Sequence, residues 1–276
     1  MIDDVKIYSA DPDATYHAAV STPEGTFKGS GTISGSSVPI IIALGNVTNG
    51  LAYVIISDQN ASATGFTFNT NNNKVSITTT GSFNNKTIGT ITGTFNSAAG
   101  TITSLAFSGA LSVSNGSVTN VSSSELFFDC DGTTSQLQAQ FKRRYMSGSW
   151  QVDTGNADRI TSNTVEFVSG TGAVKRRGYS GGAVALNFQN DFSSAKTVSN
   201  IHFWVYNPSG SNITLRMWGY KGTNFGSNFE TGSVTATAGQ WTYCHMGFTS
   251  AAIYNFQIAD FNNTGVYLTF DNIYLY

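Results

Sequence analysis

The chain has 276 residues and a formal net charge of −2; charged residues make up 11% of it and aromatics 13%, with 29 glycines but only 4 prolines. So slight a charge gives no electrostatic footprint for nucleic acid or an anionic membrane, and no run approaches the roughly 20 apolar residues that span a bilayer. Sparse charge with abundant Ser, Thr and Asn suits all-β surfaces, and the length allows two domains.

The chain opens with a strand pattern, Ile2-Asp3-Asp4-Val5-Lys6-Ile7-Tyr8, and not with the basic and apolar regions of a signal peptide. It looks like the ending, Phe270-Asp271-Asn272-Ile273-Tyr274-Leu275-Tyr276. Residues 1–9 therefore read as the closing strand of a preceding, similar module, or as a strand added to the first domain. A secreted or cell-surface location is expected, with any export signal outside this sequence.

Residues 10–123 read as an all-β meander or sandwich domain. Lys74–Thr80, Thr87–Phe95, Thr101–Leu105 and Ala106–Val113 are short alternating or β-rich runs, separated by turn clusters such as Asn69–Asn73 and Asn96–Gly100. Pro39–Leu44 is a continuous apolar run of strand length, which predicts burial on both faces. Between Thr26 and Ser124 there is no Trp and a single Tyr, Tyr53, and no motif there carries chemistry.

Near Glu125 the composition changes. Residues 124–276 form a second all-β segment that holds all four tryptophans, Trp150, Trp204, Trp218 and Trp241. Within it, Ser135–Tyr145 has few breakers, but Leu137, Ala139 and Phe141 alternate, which predicts a strand or at most one helical turn. Cys130 and Cys244 are either one disulfide or two buried thiols.

The most informative stretch is Ile201–Tyr220. Ile201, Phe203 and Val205 take one parity while His202, Trp204 and Tyr206 take the other; Ile213, Leu215 and Met217 are likewise opposed to Arg216, Trp218 and Tyr220. Strand side chains alternate between faces, so one face is an aliphatic core and the other carries rings that the core does not need. Large rings on an outer face point to a binding surface. Asn255 and Gln257 join them, because Tyr254, Phe256 and Ile258 take the core-facing parity.

The motifs Phe128-Asp129-Cys130-Asp131-Gly132-Thr133, Gly170-Thr171-Gly172-Ala173-Val174, Ala183-Val184-Ala185-Leu186-Asn187-Phe188, Gly239-Gln240-Trp241 and Phe270-Asp271-Asn272-Ile273-Tyr274 are found in order along the second segment. In this it resembles the β-sandwich (jelly-roll) carbohydrate-binding modules of bacterial polysaccharide-degrading enzymes. The resemblance implies two antiparallel sheets, glycan binding without cleavage, and an appended catalytic domain in the full-length chain. It also implies a structural calcium held by Asp129, Asp131 and Asp271. Cys130 departs from the apolar or aromatic residue usual there, without removing a ligand. The alternative for the three Asp residues is turn capping or pairing with Lys and Arg.

Glycan recognition needs flat apolar surfaces for pyranose C–H faces and planar polar groups for hydroxyls. Trp204, Tyr206, Trp218 and Tyr220 are the candidates for the first, Arg216, His202, Asn255 and Gln257 for the second. Trp241 reads as a core or edge anchor and Trp150 as a loop residue. Arg143, Arg144, Lys175, Arg176 and Arg177 read as solvated strand ends or as contacts to an acidic sugar. No nucleophile elbow, phosphate loop or dinucleotide fingerprint is present, and His17, His202 and His245 lack metal-ligand spacing. The expectation is an all-β protein of two sandwich domains, the second targeting a glycoside hydrolase to a plant cell-wall polysaccharide of xylan or β-glucan type. The rival readings are a structural or adhesive surface module, whose rings bury against a neighbour, and a hydrolase or lyase whose carboxylates converge only in three dimensions.

Overall fold

Apolar residues at every second position decide the first unit. The computed structural model describes residues 22–57, 59–61, 63–121, 126–128, 130–142, 160–177, 184–189, 196–221, 228–253, 255–260 and 264–275. The expectations for residues 1–9, Asp129, Arg143, Arg144 and Trp150 lie outside them. Two compact units, Met1–Ser124 and Glu125–Tyr276, divide the chain.

The first unit contains β1 (Gly25–Ile33), β2 (Ser36–Leu44), β3 (Ala52–Ile56), β4 (Gln59–Ala61), β5 (Ala63–Asn69), β6 (Lys74–Thr79), β7 (Ser82–Phe83), β8 (Lys86–Thr87), β9 (Thr90–Asn96), β10 (Thr101–Phe107) and β11 (Ser114–Asn120). All but the β7–β8 ribbon join one antiparallel sheet of nine strands, in the order β4-β3-β2-β1-β11-β10-β9-β6-β5. One face turns inward around Phe27, Ile40, Ile42, Val54, Val75, Ile77, Ile91 and Ile102. The sheet curls far enough for its ends to meet, where the Phe66 N–H donates to the Gly50 carbonyl at 2.7 Å. Gly29 is required in β1, because a Cβ there would overlap the Ser117 carbonyl of β11.

The second unit contains β12 (Leu126–Phe128), α1 (Thr134–Lys142), β13 (Ile160–Asn163), β14 (Ala173–Arg177), β15 (Val184–Gln189), β16 (Lys196–Asn207), β17 (Ile213–Tyr220), β18 (Asn228–Ala236), β19 (Gln240–Ile253), β20 (Asn255–Asp260) and β21 (Tyr267–Leu275). Strands β13-β14-β21-β16-β19 and β12, which pairs with β21, make a six-stranded sheet; β15-β20-β17-β18 make a four-stranded one. Every pairing is antiparallel. Between the sheets lies one core built from both: Phe203, Val205, Cys244, Met246 and Phe270 from the larger, Leu215, Met217, Phe256 and Ile258 from the smaller. This is the all-β sandwich expected of the segment. Both cysteines are buried as free thiols.

Three local features differ from the sequence reading. Ser135–Lys142 is helical, not extended, within α1. Its start is fixed by a reciprocal cap: Thr133 Oγ1 accepts from the Gln136 N–H at 3.3 Å while Gln136 Oε1 accepts from the Thr133 N–H at 2.8 Å. Leu137 is then buried on the core side. Second, β16 and β17, read as sharing one ring-bearing sheet face, belong to opposite sheets. Asn207, fully buried, holds the link: its Nδ2 donates to the carbonyls of Ser211 at 2.8 Å and Ala236 at 3.0 Å, and its Oδ1 accepts from the Ser209 N–H at 3.0 Å. Third, β21 carries a bulge at Asn272, whose φ is 46°. The bulge steps the parity, so that Leu268 and Phe270 before it and Ile273 and Leu275 after it all reach the core. Among the described residues no helix is long and apolar enough to cross a membrane.

Candidate functional site

The crossover between β16 and β17 splits the aromatic set. His202, Trp204 and Tyr206 project from the outer side of the six-stranded sheet, whereas Arg216, Trp218 and Tyr220 project from the outer side of the four-stranded one. The single platform expected from the sequence does not exist.

On the six-stranded side the rings are mostly closed. Trp204 is 3% exposed and lies edge-on to Tyr243 with ring centroids 5.0 Å apart. His202 is 0% exposed; its Nδ1 is 2.8 Å from the Tyr243 hydroxyl and its ring lies 4.3 Å from that of His245. His245 Nε2 is in turn 3.1 Å from Asn200 Oδ1. Trp204 and His202 are therefore members of a buried polar and aromatic cluster and offer no open ring face. Tyr206 is half-buried and tilted against Trp241 at 5.6 Å. Arg176, read as a solvated strand-end residue, is buried as well.

The four-stranded side is more open. Trp218 and Arg216 are half-buried on β17, alternating with the core residues Leu215 and Met217. Gln257, half-buried on β20, is the Cα partner of Trp218, and Asn255 is the partner of Tyr220. Asn255 is thus placed by its backbone alone. Tyr220 is 8% exposed, so its ring is no stacking surface, but its hydroxyl donates to Gln257 Oε1 at 2.5 Å. Burial pushes that hydroxyl up to about 12. Cross-strand pairing extends this row to Asn187 and Glu230, the Cα partners of Gln257 and Trp218 on β15 and β18. Those two positions were missed; the alternation of Leu186, Asn187 and Phe188 was the signal for the first.

What remains chemically is one indole, one guanidinium and one amide on a shallow sheet face. Such a face can stack a flat apolar ring and hydrogen-bond its substituents. Among the described side chains of the row no two carboxylates face each other.

A second constellation surrounds the start of β14. Asp271, 0% exposed on β21, accepts through Oδ2 from the N–H groups of Val168 at 2.6 Å and Ser169 at 3.1 Å. Its other oxygen, Oδ1, is buried with no hydrogen-bond partner. Asp131 Oδ1 accepts from the Thr171 N–H at 2.9 Å, and Gly170, at φ 69°, keeps clear of Asp131 Oδ2, which a Cβ would strike. Asn272 Nδ2 donates to Ser169 Oγ. Burial holds both carboxyls above the usual carboxylate range; the charge of Asp131 adds to the rise at Asp271, and the surrounding amides oppose it. Among the described residues no group of three His, Cys, Asp or Glu gathers in metal-binding geometry. Asp131 and Asp271 do come together, and an orphaned carboxylate oxygen beside a second carboxylate is a donor set suited to a hard cation.

No protein-family model matches the chain, and no curated protein matches it. Among solved structures it is similar to a mutant of the family 29 carbohydrate-binding module CBM29-2, at 11% identity over 43% of this chain and 81% of that one, with a TM-score of 0.32. A second mutant of that module, complexed with mannohexaose, is similar at 10% identity over 43% and 81%, with a TM-score of 0.32. The CBM22-1 xylan-binding domain from Paenibacillus barcinonensis Xyn10C is similar at 10% identity over 42% and 78%, with a TM-score of 0.33. All three of these structures are carbohydrate-binding modules.

Proposed function

We propose that the second unit binds polysaccharide without cleaving it, through the outer face of the four-stranded sheet. The observation that carries this reading is the half-buried Trp218 with Gln257 directly across from it and Arg216 beside it on the same strand face. The core does not use that indole, and planar polar groups flank it where ring hydroxyls would lie. A pyranose with equatorial substituents, as in xylan or a β-glucan, offers the flat C–H face such a site needs. In a full-length chain the unit would hold an appended glycoside hydrolase on a plant cell-wall polysaccharide, outside the cell, and raise its local concentration there. Affinity should be modest, because a shallow face buries little of its ligand.

Affinity electrophoresis against xylan, glucan, mannan and pectin tests the proposal. Retardation by at least one polysaccharide, lost in Trp218→Ala, is expected. Retardation unchanged by Trp218→Ala would sink it.

We also propose calcium as a structural cofactor. Asp131 and Asp271 would hold it, with Asp129 as the third carboxylate expected from the sequence. The support is the unsatisfied Asp271 Oδ1 and the nearness of a second, half-buried carboxyl, Asp131. Bound there, the ion would neutralise both and tie the 164–172 segment to β21.

A further inference from the structure

The short bond between Tyr220 and Gln257 assigns the two ends of an amide. The Tyr220 hydroxyl donates to Oε1 of Gln257. The carbonyl end of Gln257 is thus taken by the tyrosine, and Nε2 with its two hydrogens is the end that can meet anything else. The two residues are not direct partners: Gln257 faces Trp218 across the β17–β20 pair and Tyr220 faces Asn255. The bond therefore runs diagonally across the strand pair.

We infer that Tyr220 is a positioning residue that turns Gln257 into an obligate hydrogen-bond donor beside Trp218, so that this face selects a ligand group that accepts. The inference rests on the glycan reading of the same face and deepens it. A glutamine amide without such a partner rotates and offers either end. Arg216, on the same side of β17 as Trp218, also carries donors only. A ring laid on Trp218 therefore meets donors from two directions, and the matching group on the ligand is an oxygen acceptor. In a neutral glycan that is a ring oxygen or a hydroxyl used through its lone pairs; in an acidic one it is a uronate carboxylate.

Calorimetric titration with xylohexaose and with an oligogalacturonate separates those two sources. Four chains are compared: the wild type, Tyr220→Phe, Gln257→Ala and the double variant. Tyr220→Phe is expected to weaken binding about threefold to tenfold in the wild-type background and to cost nothing further once Gln257 is Ala. Gln257→Glu, which only accepts, should weaken the neutral ligand and abolish the acidic one. An equal loss from Tyr220→Phe in both backgrounds would mark a merely structural tyrosine and overturn the inference, as would no loss in the wild type. Trp218→Ala reports separately on the glycan reading. If neither probe binds, the glycan reading is left to the polysaccharide panel, and the amide assignment is decided in the ligand-free protein: Tyr220→Phe should shift the side-chain amide resonances of Gln257, and unchanged resonances would refute it.

Discussion

Trp204 and Trp218 stand on opposite outer faces of one sandwich, the first buried in contact with Tyr243 and the second half open beside Gln257. Their substitutions should therefore fail in different ways. Trp204→Ala empties a packed site and should cost about 3–5 kcal/mol of stability. Trp218→Ala should leave the melting temperature nearly unchanged and weaken polysaccharide binding by about tenfold or more. Thermal denaturation beside affinity electrophoresis distinguishes them; a stable Trp204→Ala chain would contradict the closed cluster.

Calcium should stabilise the second unit. At a hundredfold excess over Kd the gain is about 2.7 kcal/mol, or roughly 5–10 °C in melting temperature for a unit of this size. Asp271→Ala should abolish the response and Asp131→Ala should reduce it. Identical melting in calcium and in chelator would remove the metal from the account.

Alkali should test Tyr220. Its folded-state hydroxyl lies at about 12, above its ordinary value of 10.0, because of burial. Between those values the unfolded chain gives up the proton first, so this group's contribution to stability is whole below pH 10 and is lost as pH rises through 12. Denaturant midpoints measured across that window should fall more steeply in the wild type than in Tyr220→Phe. Parallel pH profiles would show that the hydroxyl titrates as it does in water.

Thiol chemistry should find both cysteines only after unfolding. Cys130 and Cys244 are buried in the core of the second unit as free thiols, and burial pushes the Cys244 thiol up. A disulfide-exchange reagent should label them at the rate of unfolding. Rapid labelling of the native chain would mean that this core is open.

The helix cap offers a smaller test. Thr133→Ala removes one side of the reciprocal pair with Gln136 and should cost about 1 kcal/mol, read as a shift of the denaturant midpoint without change in slope.

Strand alternation made the inward faces legible: Val75 and Ile77, or Leu215 and Met217, are buried where period two puts them. The neighbours of those strands were not. The two runs Ile201–Tyr206 and Ile213–Tyr220 share one parity pattern, and nothing in the residues between them tells a turn within a sheet from a link between sheets; the deciding fact is a buried Asn207 that bonds to Ala236, distant in sequence. Since Trp204 and Trp218 were assigned to one face of one sheet, the shared platform went with it. The helix was hidden because Leu137, Ala139 and Phe141 fit both periods, although Thr133 and Gln136 already spelled a cap. The Asp131 and Asp271 pairing was reached through motif resemblance, whereas the backbone amides of Val168, Ser169 and Thr171 that receive them have no side-chain signature.

The extra residue in the last strand has a bearing on how this chain can be lined up with any other. Phe270 and Ile273 occupy equivalent inward positions although three places separate them, so a gap-free comparison with a regularly alternating strand will misassign every site on one side of Asn272. Flattening the bulge with that asparagine kept in the ladder would send the Tyr274 ring toward the interior and the aliphatic tail outward, whereas deleting it would restore plain alternation and keep Ile273 and Leu275 inward.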